Sequence, residues 1–320
     1  MIEGVLGVYG LLESVSQPLG WLAIAGFLAG FGVERFRPAH ARRLYAVCWV
    51  VFGLFWLSLV GGLFIEENSV VQGTASPLAV PLSVLIARHI AQGRDGLFAL
   101  SRAVGVMGLV YLPFLASEAL RQPLIEIVTI HTDWGLQLVG ADYRIISGTT
   151  IDGYELVGLS DHPFESRFIF GENGDYISYT IILACTGIGS MAIFIGLVAA
   201  VKAPLRRKAR ALALALGIIY LLNIIRNVFI ATSFGEQRLH VFPELIISVF
   251  SLESAETVSF IWADRIVSQF GAVVALIGIT YLVVREVPEV LDIIDDLLAL
   301  VTGSEYNLRA SLGIDEPDSG

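Results

Sequence analysis

Long runs of apolar residues, interrupted by short polar connectors, recur from one end of the chain to the other. Crossing a hydrocarbon core of ~30 Å takes about 20 apolar residues in a helix. By that measure seven spans are predicted, at 19–33, 44–65, 78–90, 97–116, 177–201, 211–234 and 261–284. The third is short and carries Pro77 and Pro81 near its start. Its outer part is therefore expected to be irregular, packed against protein, or extended back to about Ser69. The pattern predicts an all-α fold, a polytopic transmembrane helix bundle of about seven spans (eight being the alternative count), with a small ordered extracellular segment.

Four parts follow from this pattern: N-terminal transmembrane helices over 1–116, an extracellular segment over 117–176, catalytic transmembrane helices over 177–284, and a cytoplasmic acidic tail over 285–320. Orientation is set by basic residues in short connectors. Arg35, Arg37, Arg42 and Arg43 follow the first span, Arg88 and Arg94 flank the end of the third, and Lys202, Arg206, Arg207, Lys208 and Arg210 follow the fifth. These connectors are expected in the cytoplasm. The alternate connectors are acidic, with Glu66 and Glu67 after the second span and a carboxylate-rich stretch over 117–176 that holds only Arg121, Arg144 and Arg167. They are expected outside, together with the N-terminus. Residues 1–17 contain Glu3 and Glu13 and no basic cluster, so they do not resemble a cleaved signal and the first span is expected to stay. In the tail, Glu289, Asp292 and Asp296 recur at helical spacing, predicting an amphipathic helix against the bundle.

Composition agrees with the membrane reading: 55% of residues are hydrophobic, 16% are charged, and the mean hydropathy is +0.74. No ordinary soluble domain has that balance. The net charge is −10, and among 20 basic residues only Lys202 and Lys208 are lysines. An acid-rich, lysine-poor surface is what high salt favours, because screening removes self-repulsion. A haloarchaeal source is expected on that ground. No basic face is available to release counterions from phosphates, so nucleic acid is not an expected partner.

Chemistry concentrates in the last three spans. Cys185 stands in the string Ala184-Cys185-Thr186-Gly187, and the next two spans each carry an arginine, Arg226 and Arg265. Counted along helices at 1.5 Å per residue, Cys185 and Arg226 lie about 12 Å below the outer boundary and Arg265 about 6 Å. A guanidinium in hydrocarbon costs several kcal/mol or more, so two of them at the depth of one thiol call for a reason. Asn223, Arg226 and Asn227 share one helical stripe, as do Arg265, Ser268 and Gln269. Gly187, Gly189 and Ser190 leave room beside the thiol for a backbone or a substrate. A thiolate is the attacking form of cysteine, burial opposes it, and a fixed cation restores it. Arginine remains charged at any working pH and also donates to an oxyanion. The combination suits acyl transfer through a thioester.

The string around Cys185, followed one span later by Asn223-Ile224-Ile225-Arg226-Asn227 and one further span later by Asp264-Arg265, resembles the exosortase/archaeosortase family, and most closely its archaeosortase branch. The resemblance implies a polytopic cysteine transpeptidase. Such enzymes cleave a C-terminal sorting signal of secreted surface proteins, made of a Pro-Gly-Phe type motif, a transmembrane helix and a basic end, and are linked to C-terminal lipid attachment. The implied partners are membrane-anchored secreted proteins such as surface-layer glycoprotein, with a membrane lipid as acceptor. By the same resemblance Cys185 is the nucleophile, Arg226 stabilises the thiolate or oxyanion, and Arg265 stands where many relatives have histidine. Asn223, Asn227 and Asp264 are supporting residues.

Other readings stand beside this one. Cys185 alone would be a small packing residue, Arg226 a structural cation and Arg265 a side chain shallow enough to reach the surface. A transporter using the intramembrane arginines to bind an anionic substrate is the alternative function. Cys48 lies at the inner end of the second span, too far in depth to pair with Cys185, and is assigned to packing. For a proton acceptor, His40 and His89 fall on the inner side, while His131, His162 and His240 remain as alternatives, as does Asp264 for orienting a guanidinium. The chain shows no Gly-rich phosphate loop, no paired-cysteine motif and no metal-ligand spacing, so no cofactor is expected.

Overall fold

Helices account for most of the computed structural model, which describes residues 2–65, 70–151, 153–155, 163–172, 175–250, 252 and 254–313. In chain order they begin with α1 (Ile2–Glu34), α2 (Pro38–Ile65), α3 (Val70–Ala91), α4 (Leu97–Ala116) and α5 (Glu118–Leu138). Short strands follow: β1 (Arg144–Ile146), β2 (Thr150–Ile151), β3 (Tyr154–Glu155), β4 (Arg167–Phe170) and β5 (Ile177–Thr180). A single 3-10 turn, Leu183–Thr186, leads into α6 (Ile188–Ala200), α7 (Leu205–Gly235), α8 (Pro243–Phe250) and α9 (Thr257–Phe260). A π-helical stretch, Ile261–Ser268, connects α9 to α10 (Gln269–Glu286), and α11 (Val290–Thr302) and α12 (Leu308–Ser311) close the order.

Among the described residues five helices are long and apolar enough to cross a membrane: Val15–Glu34, Pro38–Leu59, Leu97–Ala116, Leu205–Gly235 and Thr257–Glu286. Pro77–Ala91 and Ile188–Ala200 are shorter apolar helices. The helical class read from the sequence holds. The third helix runs through both Pro77 and Pro81 from Val70 rather than turning irregular. Its neighbour approaches closely there, for a methyl group on Gly53 of α2 would meet the Ser83 Cβ at 3.2 Å.

The expected continuous span over 177–201 is corrected. Ile177, Ser178, Tyr179 and Thr180 form a strand pairing antiparallel with β4, with Tyr179 its buried position. The α-helix begins only at Ile188 and has 13 residues, about 20 Å of rise. The depth assigned to Cys185 by counting helical rise from residue 177 therefore does not stand. The last span is also corrected in winding, since Arg265, Ser268 and Gln269 do not form an α-helical stripe when the first two lie in a π-helix.

The fold divides into two compact units. The first comprises Met1–Leu112, Met191–Ala215 and Thr280–Gly320. Its core is aromatic: the Phe27 ring meets Trp49 edge-on at 5.4 Å, Trp49 meets Phe52 at 5.6 Å, and the Trp49 Nε1 donates to Ser101 Oγ at 2.9 Å. Arg102 pairs with Glu34 at 2.6 Å and donates through Nε to the Ala200 carbonyl at 3.1 Å, while Tyr45 donates to the other Glu34 oxygen at 3.1 Å. The expected amphipathic tail helix is α11, which places Leu297 and Leu300 against this core. Arg207 holds Glu289 with two parallel bonds, at 3.0 and 2.8 Å, just before that helix.

The second unit comprises Pro113–Ser190 and Leu216–Ile279. Strands β1, β4 and β5 form an antiparallel sheet in that spatial order, β1-β4-β5, and β2 pairs with β3. Ile125, Val128 and Leu136 of α5, Phe168 and Phe170 of β4, Tyr179 of β5, and Ile230, Ala231 and Ala263 make one apolar core. Arg167 is sealed in the sheet at 2% exposure, donating through Nε to Thr180 Oγ1 at 3.0 Å and through Nη1 to the Gly148 carbonyl. A charge that the sequence pattern placed in the extracellular segment thus has one donor within the sheet and another on the turn between β1 and β2.

Candidate active site

Cys185 occupies the tight turn between β5 and α6, and the local sequence dictates that turn. The Cys185 amide donates to the Ile182 carbonyl at 2.8 Å, and Thr186 Oγ1 donates to the Leu183 carbonyl at 2.7 Å while accepting from the Ile188 amide at 3.4 Å. Gly187 then takes a left-handed φ of 77°, which other residues adopt at a cost. A side chain at Gly187 would also crowd Asn223, whose Cγ lies 3.3 Å from the position its Cβ would occupy. The result is a thiol on a short, pinned loop ahead of the helix. Cys185 as a whole residue is only partly buried.

Two amides from α7 hold this loop by one atom. Asn223 Nδ2 donates to the Cys185 carbonyl at 2.6 Å and Asn227 Nδ2 donates to the same oxygen at 2.9 Å. Asn227 is fully buried and Asn223 nearly so. One helical turn separates them, which lets both amides converge on one acceptor. The stripe foreseen in the sequence thus meets the cysteine through its backbone.

Arg226 lies between these asparagines in sequence and reaches the π-helical segment instead. Its Nη2 donates to Asp264 Oδ1 at 2.5 Å, and Asp264 Oδ2 stands 3.5 Å from Arg265 Nε. Asp264 is 8% exposed, so the carboxylate is a largely buried anchor for two cations. The Arg265 guanidinium also lies over the Phe260 ring, 6.0 Å from its centroid. The sequence pattern joined Asp264 to Arg265 alone, whereas its shorter bond is to Arg226. The wide winding of the π-helix, of a kind found at functional sites, presents the adjacent Asp264 and Arg265 to one neighbourhood.

One residue that the sequence pattern did not single out is Tyr179, 5% exposed on β5. Its hydroxyl donates to Asn227 Oδ1 at 3.2 Å and lies within hydrogen-bond reach of the Cys185 thiol. The sequence does not mark it, because 177–180 is apolar enough to read as part of the helix that follows.

Burial pushes the Cys185 thiol above its ordinary value. The Ile182 backbone, the Arg226 charge and the Tyr179 hydroxyl pull it back down, and the Asp264 carboxylate pushes it up. The structure therefore sets one cation and two hydrogen-bonding groups against desolvation and one carboxylate. The balance is upward, so burial outweighs the groups that favour a thiolate.

The remaining sequence candidates fall elsewhere. His131 is engaged by the Ile127 carbonyl at 2.8 Å and the Tyr220 hydroxyl at 2.9 Å. His240 is exposed in the connector before α8, and His162 lies outside the described residues. Cys48 is packed in the aromatic core of the first unit.

Comparison with known proteins bears on this site directly. The transmembrane exosortase family matches residues 14–254, a stretch that holds Tyr179, Cys185, Asn223, Arg226 and Asn227 and ends before Asp264 and Arg265. Archaeosortase A of Haloferax volcanii is 40% identical over 316 residues, covering 96% of this chain and 99% of that protein. Archaeosortase A of Natronomonas pharaonis is 40% identical over 305 residues, covering 91% of this chain and 93% of its own. No solved structure matches.

Proposed function

The chain belongs to the transmembrane exosortase family, and from that membership together with the Cys185 cluster we propose that it processes secreted proteins by acyl transfer from Cys185. It is a membrane enzyme of the cysteine transpeptidase class, of the archaeosortase type, acting on sorting signals. That class displaces anion transport as the use of the two arginines.

In the proposed reaction the Cys185 thiolate attacks the carbonyl carbon of the scissile peptide, forming a C–S bond and an oxyanion. Arg226, anchored by Asp264, donates to that oxyanion. Collapse re-forms the C=O, breaks the C–N bond and leaves a thioester, the departing amine carrying away the proton that the Cys185 thiol gave up. A nucleophile on the acceptor then attacks the thioester and returns the sulfur. The acceptor in this reading is a membrane lipid, and the substrate is a surface protein, such as surface-layer glycoprotein, with a Pro-Gly-Phe type motif, a transmembrane helix and a basic end. The site opens to the extracellular side of a multi-pass protein in a haloarchaeal cell membrane.

The observation that carries the reading is the double clamp on the Cys185 carbonyl by Asn223 and Asn227, at 2.6 and 2.9 Å, in the same site as the Arg226–Asp264 pair. It fixes the cysteine in a polar setting that packing alone does not require. The test is complementation of a deletion strain with Cys185→Ala. Accumulation of unprocessed precursor while the variant is present and inserted supports the reading, and normal processing sinks it.

A further inference from the structure

Tyr179 has two acceptors and one proton. The buried hydroxyl donates to Asn227 Oδ1 at 3.2 Å, longer than the 2.7–2.8 Å usual for such bonds. The Cys185 sulfur lies within its reach as well. Asn227 is itself fixed, because its Nδ2 is committed to the Cys185 carbonyl at 2.9 Å. Its Oδ1 is thereby turned to the phenol.

We infer that the Tyr179 hydroxyl is a catalytic donor, hydrogen-bonding the Cys185 sulfur whenever that sulfur carries negative charge. A neutral thiol accepts weakly, so the resting bond goes to Asn227; a thiolate is the stronger acceptor and draws the hydroxyl's hydrogen bond to itself. Arg226 cannot serve the sulfur undivided, since its Nη2 is held by Asp264 at 2.5 Å. The charged groups around the thiol are Arg226 from α7 and Asp264 from the π-helix, with Arg265 behind Asp264. Helix α5, which also packs on the turn, buries Ile125, Val128, Thr129, Thr132 and Leu136, none of them titratable. Tyr179 from β5 is the donor free of a full ionic commitment. This inference rests on Cys185 being the nucleophile.

The test uses the full-length protein in detergent with Cys48→Ala, which leaves Cys185 as the remaining thiol. Alkylation by iodoacetamide is followed by mass spectrometry between about pH 6 and 10, beside cleavage of a signal-bearing substrate. Tyr179→Phe is expected to raise the alkylation midpoint by about one pH unit and slow cleavage at least ~10-fold, since one unit is a tenfold change in thiolate population near neutrality. An unchanged midpoint with unchanged cleavage overturns the inference. Should Tyr179→Phe not fold, difluorotyrosine at 179 decides: it keeps the packing, acidifies the hydroxyl and is expected to lower the midpoint, and no movement overturns the proposal. Cys185→Ala run in parallel separates the two levels. If it still cleaves, the functional reading fails; if it is inert while Tyr179→Phe is normal, only the role of Tyr179 fails.

Discussion

Asp264 accepts a 2.5 Å bond from Arg226, a residue 38 positions earlier on a different helix. The anchor cuts both ways for the cysteine nearby. It fixes the cation that favours a thiolate, and it sets a negative charge that opposes one.

Asp264→Asn should separate these effects. With the charge removed, Cys185 is expected to alkylate faster near neutral pH. With Arg226 unanchored, cleavage is expected to fall by about 10- to 100-fold, the range seen when a positioned oxyanion donor is lost or loosened. Thiol reactivity and turnover measured on one preparation would move in opposite directions, and movement together would sink the account.

The pH profile of the wild-type thiol follows from its upward shift. A raised value keeps sulfur protonated at neutrality, so the alkylation rate should still be climbing beyond pH 9, the ordinary value for a cysteine. Arg226→Ala removes an influence that lowers the value and should displace the climb to higher pH. A plateau below about pH 8 in the wild-type protein would contradict the balance of burial against charge.

Asn223 and Asn227 share one acceptor, so their losses should not add. Either alanine substitution leaves the Cys185 carbonyl one donor, at a cost of about 1 kcal/mol. The double variant leaves it bare in a largely buried place and should cost about 3 kcal/mol. Thermal unfolding of the four proteins in a double-mutant cycle checks this, with strict additivity as the refuting outcome.

Gly187→Ala should lower activity more than stability. Its φ of 77° is strained for alanine by about 1 kcal/mol. The added methyl would press on Asn223 at 3.3 Å and shift the clamp on the cysteine. The expected signature is a kcat reduced at least ~10-fold with a stability loss of only ~1–2 kcal/mol. A fully active variant would show that the turn tolerates displacement.

In the first unit, Glu34→Gln should destabilise the fold by about 2 kcal/mol, because Arg102 and Tyr45 both bond that carboxylate in a partly buried setting. The Cys185 alkylation rate should be unaffected in the protein that remains folded. Thermal scans beside alkylation assays distinguish this outcome from a general loss of structure.

The helices were legible because apolar runs of membrane length leave little choice of structure. Arg226, with its flanking asparagines, was legible because polar residues at α-helical spacing in an otherwise apolar helix mark a face turned away from lipid. The setting of Cys185 was not. Ile177-Ser178-Tyr179-Thr180 is apolar enough to merge with the helix after it, and only its pairing with β4 makes it a strand. Long-range pairing of this kind leaves no local mark, so Tyr179 does not stand out along the chain. The partner of Asp264 was hidden for a related reason, since the α-helical spacing expected for residues 261–268 is not the one adopted.

Arg226, Asp264 and Arg265 form a linked cluster of two positive charges and one negative one, of which Arg226 and Asp264 act on the cysteine. With the sulfur protonated that cluster has a formal charge of +1; with the sulfur ionised it is neutral. Attack on a carbonyl then moves the negative charge from sulfur to oxygen, and collapse to the thioester discharges it as the departing amine takes a proton. From thiolate to oxyanion, therefore, the total charge of the site does not change. In surroundings of low permittivity, where creating net charge is the most expensive event, the burial that opposes ionisation is met once at the thiol, and the chemistry that follows merely relocates an electron pair.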